Sequence, residues 1–302
     1  MERACIVYNR FARNAPSIDR LRAAVAAAGP GWQIDILDTG APGHGIELAR
    51  EAAASSARAV FACGGDGTVN EVVNGLAGTD CALGVLRGGM GNVFAKEVGI
   101  SRRPERALPS QLNGDRRRFD LGKVNDRRFL LMAGVGIDAE VVRAVPESWK
   151  RLLGSTSYAI WALRLLLRYG PTQAGLTIDG VSRQANLFWL LFGNTRSYGG
   201  IADITGQALV DDGCLDAYLF EGSGYAWTAL TFTKLALRRH RDARGVSFHR
   251  LQHLTIETPG LAIQADGEYV GQTPATFSAE PQALDVLLPK GRAQELFATP
   301  LQ

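Results

Sequence analysis

Long hydrophobic runs are missing from this chain of 302 residues. The longest apolar stretch, Tyr158 to Leu167, carries Arg164 and is bracketed by Lys150, Arg151 and Arg168. It falls well below the roughly 20 residues that span a bilayer, so no transmembrane segment is expected. The opening MERACIVYNR places charges before a short apolar run and lacks the core of about 7 to 15 residues of a signal peptide. Cysteine is scarce. The residues Cys5, Cys63, Cys81 and Cys214 sit beside short apolar runs with no C-x-x-C spacing, which reads as reduced core thiols and a cytoplasmic setting. Charge of one sign is scarce too: 33 Lys+Arg against 30 Asp+Glu leave +3, too little for a broad footprint on nucleic acid. No internal repeat or low-complexity tract is present. Glycine is abundant instead, with 35 residues where a usual share of about 7% would give about 21. So many glycines imply many tight or left-handed backbone positions.

The first 125 residues alternate apolar runs with helical patterns. Strands are expected at Cys5 to Tyr8, Gln33 to Leu37, Ala59 to Cys63 and Cys81 to Leu86, and helices at Ile18 to Ala28, Gly45 to Ala57, Val69 to Leu76 and Val93 to Val98. This alternation predicts a parallel sheet covered by helices. Residues 102 to 118, rich in Arg and Pro, read as a hinge and surface loop. From about Phe119 the texture becomes strand-rich, with runs at Arg118 to Val124, Phe129 to Val135, Gly175 to Ile178, Ala185 to Phe192, Cys214 to Phe220, His249 to Glu257, Leu261 to Ala265 and Leu284 to Leu288. Turn signals such as Asn125-Asp126, Asp179-Gly180, Asp212-Gly213 and Asp266-Gly267 separate them. Helical patterns at Trp149 to Tyr169 and Tyr225 to His240 interrupt the strands.

The strongest chemical signal is Gly64-Gly65-Asp66-Gly67-Thr68, between an apolar strand and a helix whose positions Val69, Val72, Val73 and Leu76 share one face. Thr68 and Glu71 have capping-box spacing, predicting a helix start there. Backbone N–H groups of such a loop, with the positive end of the helix dipole, bind phosphate oxygens. A plain turn needing glycine is the alternative. Asp66 argues against it, because a carboxylate in an anion loop calls for a divalent cation or a substrate hydroxyl. A second loop, Arg87-Gly88-Gly89-Met90-Gly91-Asn92, follows the next strand, and two such loops converge at the carboxyl edge of a parallel sheet. Neither has Walker A or G-x-G-x-x-G spacing.

The run Gly64 to Glu71 resembles the signature of the diacylglycerol kinase catalytic domain, shared with sphingosine kinases and more remotely with NAD kinases. The rest of the chain is similar to the bacterial lipid kinases of that group: Gly89 to Ala95, Asp120 to Asn125, Ala208 to Asp216 and Asp266 to Glu268 match further motifs in the expected order. The resemblance implies an α/β plus all-β chain. Residues 1–122 would form an α/β nucleotide-binding domain and 123–302 a lipid-binding β-sandwich, with a return of the last segment to the first domain left open. It implies that Thr39, Gly64, Gly65, Asp66, Gly67, Thr68, Val69, Asn70, Glu71, Gly89, Met90 and Asn92 hold ATP. Glu268 would be the general base, with Asp66 as a second catalytic carboxylate, and Asp212 with the carbonyls of Leu209 and Cys214 would bind Mg²⁺. Plain turn readings of Asp211-Asp212 and Asp266-Gly267 stand beside these. A zinc site at His249 and His253 lacks a third ligand.

Met90, Arg87 and Val93 depart from the group's usual threonine, proline and, in some relatives, aspartate, and Asn9 to Arg13 departs from its usual Asn-Pro; these bear on nucleotide affinity. The expected activity is ATP-dependent phosphorylation of a lipid hydroxyl, diacylglycerol first and sphingoid-like acceptors next. One alternative is NAD kinase, because Gly154 to Tyr158 resembles the Gly-Ser-Thr-Ala-Tyr of those enzymes. Another is a catalytically weak lipid- or nucleotide-binding regulator. Residues 149 to 169, basic and aromatic with no acidic residue, fit either a membrane-surface segment or a helix packed on the sandwich. Peripheral attachment to the inner membrane face and homodimer formation are both left open.

Overall fold

The structure is a computed structural model and describes residues 1–146, 161–162, 164–166, 169–197 and 204–298. The chain divides into two compact units. The first comprises Met1–Leu121, Val210–Asp212 and Pro281–Gln302, and the second Gly122–Leu209 and Gly213–Glu280.

In the first unit the predicted alternation becomes β1 (Glu2–Tyr8), α1 (Ile18–Ala27), β2 (Trp32–Asp38), α2 (His44–Ala54), β3 (Ala59–Gly64), α3 (Asp66–Leu76), β4 (Ala82–Arg87) and α4 (Val93–Glu97). Strands β2, β1, β3 and β4 lie side by side in that order, all parallel. The sheet is closed on its β4 side by a distant strand, where Val286 pairs in parallel with Leu83. Strands β3 and β4 are apolar without alternation because helices cover both faces. Ala59 to Cys63 and Ala82, Leu83 and Leu86 are fully buried.

Residues 102 to 118 correct the sequence-based expectation. They contain α5 (Pro104–Leu112) and the start of β5 (Asp115–Val124) rather than a loop. Pro104 sits in the first turn, where its missing N–H is harmless, and Ala107, Leu108 and Gln111 form a buried face. Gln111 accepts from Val85 N at 2.9 Å and donates to Val85 O at 2.9 Å, so a side-chain amide extends the β4 ladder.

The second unit is strand-rich. Strands β6 (Arg127–Phe129), β7 (Met132–Gly136), β8 (Thr172–Ile178), β9 (Val181–Gly193), β10 (Leu215–Glu221), β11 (Val246–Leu251), β12 (His253–Ile256), β13 (Ala262–Ala265), β14 (Glu268–Gln272) and β15 (Ala275–Leu288) pair almost wholly antiparallel. Helices α6 (Ile137–Ala144) and α7 (Tyr225–Ala236) lie between them. Strand β9 organises this unit: β8 pairs with its first half, β7 and β10 with its second. Its run Leu187 to Phe192 is apolar on both faces because two cores flank it. One contains Leu190, Phe192, Leu254 and Phe277, with the Phe192 and Phe277 rings stacked 4.3 Å apart. The other contains Ile137, Phe188, Trp189, Leu191, Tyr218 and Phe220. Trp161, Leu165, Leu166 and Tyr169, the described end of the expected 149–169 helix, pack against this second core. The turns Asp179-Gly180 and Asp266-Gly267 close hairpins through positive φ at both residues, 44° and 85° in one and 49° and 82° in the other.

Candidate active site

The carboxyl ends of β1, β2, β3 and β4 meet at one edge of the parallel sheet, since Tyr8 is level with Asp38 and Cys63, and Cys63 with Leu86. This edge gathers Asn9, Thr39, Gly64 to Thr68 and Gly88 to Asn92. The two glycine loops abut backbone to backbone. Gly88 N donates to Gly64 O at 2.9 Å, and a Cβ built on Gly89 would stand 2.5 Å from the Cα of Gly65. A Cβ on Gly64 would meet the Thr68 hydroxyl at 2.4 Å. No side chain fits at this seam, which leaves peptide groups to line it.

Helix α3 starts earlier than the capping-box reading predicts. Gly65 is its N-cap with extended backbone, and Asp66, Gly67 and Thr68 form the first turn. Thr68 lies inside the helix, where its Oγ1 accepts from Asn9 Nδ2 at 3.2 Å. Glu71 does not reach back to its own helix start. Its two carboxylate oxygens accept from Gly43 N at 2.8 Å and Gly45 N at 2.9 Å, capping α2 instead. Glu71 thereby braces the 39–45 loop, whose first residue, Thr39, is buried and donates its N–H to Tyr8 O at 2.9 Å. Val69 and Asn70 are buried, and Asn70 O accepts from the Asn74 amide.

Asp66 Oδ1 accepts from Val93 N at 2.7 Å, so this carboxylate spans the seam and starts α4. Asn92, left-handed with φ 46°, folds its side chain back onto Gly89, whose N–H it receives at 3.0 Å. Asn9 and Asn14 were not singled out as site residues in the sequence. Asn14 N and Nδ2 reach Gly88 O and Gly89 O at 2.8 and 3.1 Å, latching the 9–14 loop over the second glycine loop. An Asn directly after a strand is the signal that marks such a latch. Met90 is exposed, its sulfur 3.0 Å from Arg13 Nη1. Burial, then Arg102, weaken proton binding by the Arg87 guanidinium, while Asp66 acts the other way; an arginine stays charged under such shifts. Cys63, behind the first loop, is a thiol pushed up to about 12 by burial, hence unreactive.

The second unit carries Glu268 at the first position of β14, half-exposed, its Oε2 2.9 Å from Arg127 Nη2. The Asp266 carboxylate beneath it accepts from Leu130, Leu131 and Met132 N at 2.8 to 3.1 Å, which makes Asp266 the anchor of this hairpin. Gln264 Oε1 receives Gly267 N at 2.9 Å, and its amide donates to Asp138 at 3.0 Å. Leu209, Asp212 and Cys214 belong to one short turn of the chain. Its neighbour Asp211 accepts from Ala298 N at 2.6 Å and lies 3.8 Å from Arg117. Cys214 is half-buried rather than a core thiol, whereas the other three cysteines are buried. Residues 154 to 158, which carry the NAD kinase-like stretch, lie outside the described residues.

Comparison with known proteins decides the family. The diacylglycerol kinase catalytic domain model matches residues 3–124, and the YegS C-terminal NAD kinase beta sandwich-like domain model matches 132–288. A diacylglycerol kinase of Bacillus subtilis is 30% identical over 270 residues, covering 88% of this chain and 89% of the relative. The chain belongs to the diacylglycerol kinase family. Another member, from Mycobacterium tuberculosis, is 34% identical over 251 residues, covering 80% and 81% of the two chains. A crystal structure from Bacillus anthracis shares the fold, with a TM-score of 0.81 at 23% identity over 95% of each chain. This family member is a lipid kinase, a phosphotransferase that uses ATP and an alcohol acceptor. Among the described residues, no helix is long and apolar enough to cross a membrane.

Proposed function

We propose that this lipid kinase transfers the γ-phosphoryl group of ATP to the hydroxyl of diacylglycerol, with sphingoid-like lipids as the next acceptor class. The observation that carries the reading is the seam between Gly64-Gly65 and Gly88-Gly89. It offers peptide N–H groups and the first turn of α3 to phosphate oxygens with no side chain in the way. Thr39 and Asn92 flank the nucleotide, and Gly67 and Thr68 face its phosphates through their backbone. Glu71 acts on the nucleotide through the 39–45 loop it braces. Asp66 holds the loops in register and keeps a negative charge beside the reacting phosphates.

Glu268 is the general base. As the lipid oxygen bonds to the γ-phosphorus and the bond from that phosphorus to the β-phosphate oxygen breaks, Glu268 takes the hydroxyl proton and ADP leaves. Arg127 orients the Glu268 carboxylate. Mg²⁺ supplies neutralisation of the phosphate charge when bound. No group of three acidic, His or Cys side chains forms a metal cage among the described residues. A carboxylate with backbone carbonyl oxygens is the kind of hard donor set that would hold such a cation. The family resemblance of the 208–216 motif is the ground on which we assign Asp212 and the carbonyls of Leu209 and Cys214 to the cation.

Label transfer from radiolabelled ATP to a panel of diacylglycerol, sphingoid bases and NAD tests the reading. Label is expected in phosphatidate, and Glu268→Gln is expected to lower kcat by about 10² to 10⁴. Label in NAD alone would replace the acceptor assignment, and label in no acceptor would favour a binding regulator. Met90, which offers phosphate no hydroxyl, is the residue that would explain the latter.

A further inference from the structure

Helix α7 has the composition of a buried helix and the setting of an exposed one. Its sequence YAWTALTFTKLA carries one charge, Lys234, whose ammonium is tied to Asp242 O at 2.7 Å. Trp227, Phe232 and Leu235 turn inward onto the core around Phe188 and Trp189. Tyr225, Ala226, Ala229, Leu230 and the C-cap Leu237 face away and are exposed, Leu230 by 57% and Leu237 by 64%. A helix apolar on every side ordinarily has protein or lipid around it. Here described protein occupies one side.

The turn after α7 supplies the second observation. Between residues 224 and 245 stand five basic residues, Lys234, Arg238, Arg239, Arg241 and Arg244, against the single acid Asp242. That local surplus of four exceeds the +3 of the whole chain. The four arginines are exposed. Arg241 lies 4.9 Å from the ring centroid of Phe248, itself exposed, so charge and apolar surface interleave. Apolar side chains beside arginines are what the boundary of an anionic bilayer accommodates, apolar groups reaching the acyl chains and guanidinium groups the headgroup phosphates.

We infer that the outer face of α7, with the Arg238–Arg244 turn, docks this protein on an anionic lipid surface. The inference rests on the lipid-kinase reading for the location of its acceptor. A second copy of the chain is the poorer occupant, because an isologous contact through this face would bring two such positive surpluses together. Of the 149–169 segment, which the sequence left open between a membrane-surface segment and a helix packed on the sandwich, the described residues Trp161, Leu165 and Leu166 pack on the same core and Arg164 is exposed.

Co-sedimentation of the full chain tests the inference, using vesicles of phosphatidylcholine and of phosphatidylcholine mixed with phosphatidylglycerol. The parent is expected to prefer the mixed vesicles. Arg238→Gln with Arg239→Gln should weaken that binding roughly thirtyfold at low salt and less as screening rises. Leu230→Ser with Leu237→Ser should weaken binding to both vesicle types without lowering the melting temperature. Equal binding to both vesicles by the parent, or unchanged binding by both double variants, overturns the inference. A parent dimer in light scattering that the leucine variant abolishes, with vesicle binding unchanged, overturns it too. Turnover on detergent-dispersed diacylglycerol is read alongside and is expected to be unchanged in both variants. Its absence in the parent would refute the kinase reading alone, leaving docking to be judged from the vesicles.

Discussion

Two carboxylates of α3 show how far residue identity carries and where it stops. Both Asp66 and Glu71 stand in a phosphate-loop signature, yet Asp66 reaches 27 residues forward to Val93 N while Glu71 reaches back to Gly43 and Gly45. The local spacing suggested a capping box, because contacts across the seam are invisible to a window of four residues. The glycines were legible for a physical reason: apolar strand, glycine, helix is a pattern that backbone crowding imposes on sequence. Asn14, an ordinary loop residue in sequence, gains meaning only once β1 and β4 bring their ends together. The charge of Asp66 is separable from its hydrogen bond. Asp66→Asn keeps an oxygen acceptor for Val93 N, so the melting temperature should stay within about 2 °C of the parent while turnover falls about a hundredfold. Full turnover in that variant, measured by label transfer, would reduce Asp66 to a structural clamp.

Elements with strong periodicity were readable, and those shaped by tertiary contacts were not. The four parallel strands at the first unit's centre follow from short apolar runs ending at glycine or polar residues. Helix α5 was hidden by its arginines and prolines, since composition obscures an amphipathic face only three residues wide. Helix α6, strand β14 and the break at Leu130-Leu131 between β6 and β7 were also missed. The last belongs to Asp266, whose carboxylate collects the N–H groups of Leu130, Leu131 and Met132, the first two lying between the strands and the third opening β7 opposite Gly193. Gln111 is the comparable device in the first unit. Gln111→Leu strips Val85 of both side-chain partners, leaving a buried donor and acceptor unmet at about 2 to 4 kcal/mol. A melting-temperature fall of roughly 4 to 12 °C should follow. Thermal denaturation checks it; an unchanged midpoint would mean water or backbone replaces the amide.

For the molecule as a whole, acid is the condition that should loosen the strand-rich unit first. His240 is buried, its Nε2 3.1 Å from Ile204 O, and burial, with Arg241 adding to it, lowers its pKa below the usual 6.5. His249 is lowered as well, by burial and then by Arg183. A depressed folded-state pKa means the unfolded chain binds the proton more readily. The stability these groups contribute is therefore complete above about pH 6.5 and is lost as pH falls through their lowered folded values. The melting temperature should drop from pH 7 to pH 5, and His240→Gln should flatten that slope. Parallel slopes for parent and variant would remove His240 as the cause.

The strand that closes the parallel sheet of the first unit comes from β15, more than 160 residues after β5 begins to leave that unit. During synthesis the outer edge of β4 is thus made early and meets Val286 only when nearly the whole chain has been translated. An unpaired edge of that kind invites strand addition by other chains. The glycine seam is complete in sequence by residue 92 while the sheet that supports it is not. A fragment ending near residue 122 would carry both glycine loops on a sheet lacking one border. Fusing residues 281–298 to such a fragment through a flexible linker is the route this topology favours for isolating the first unit.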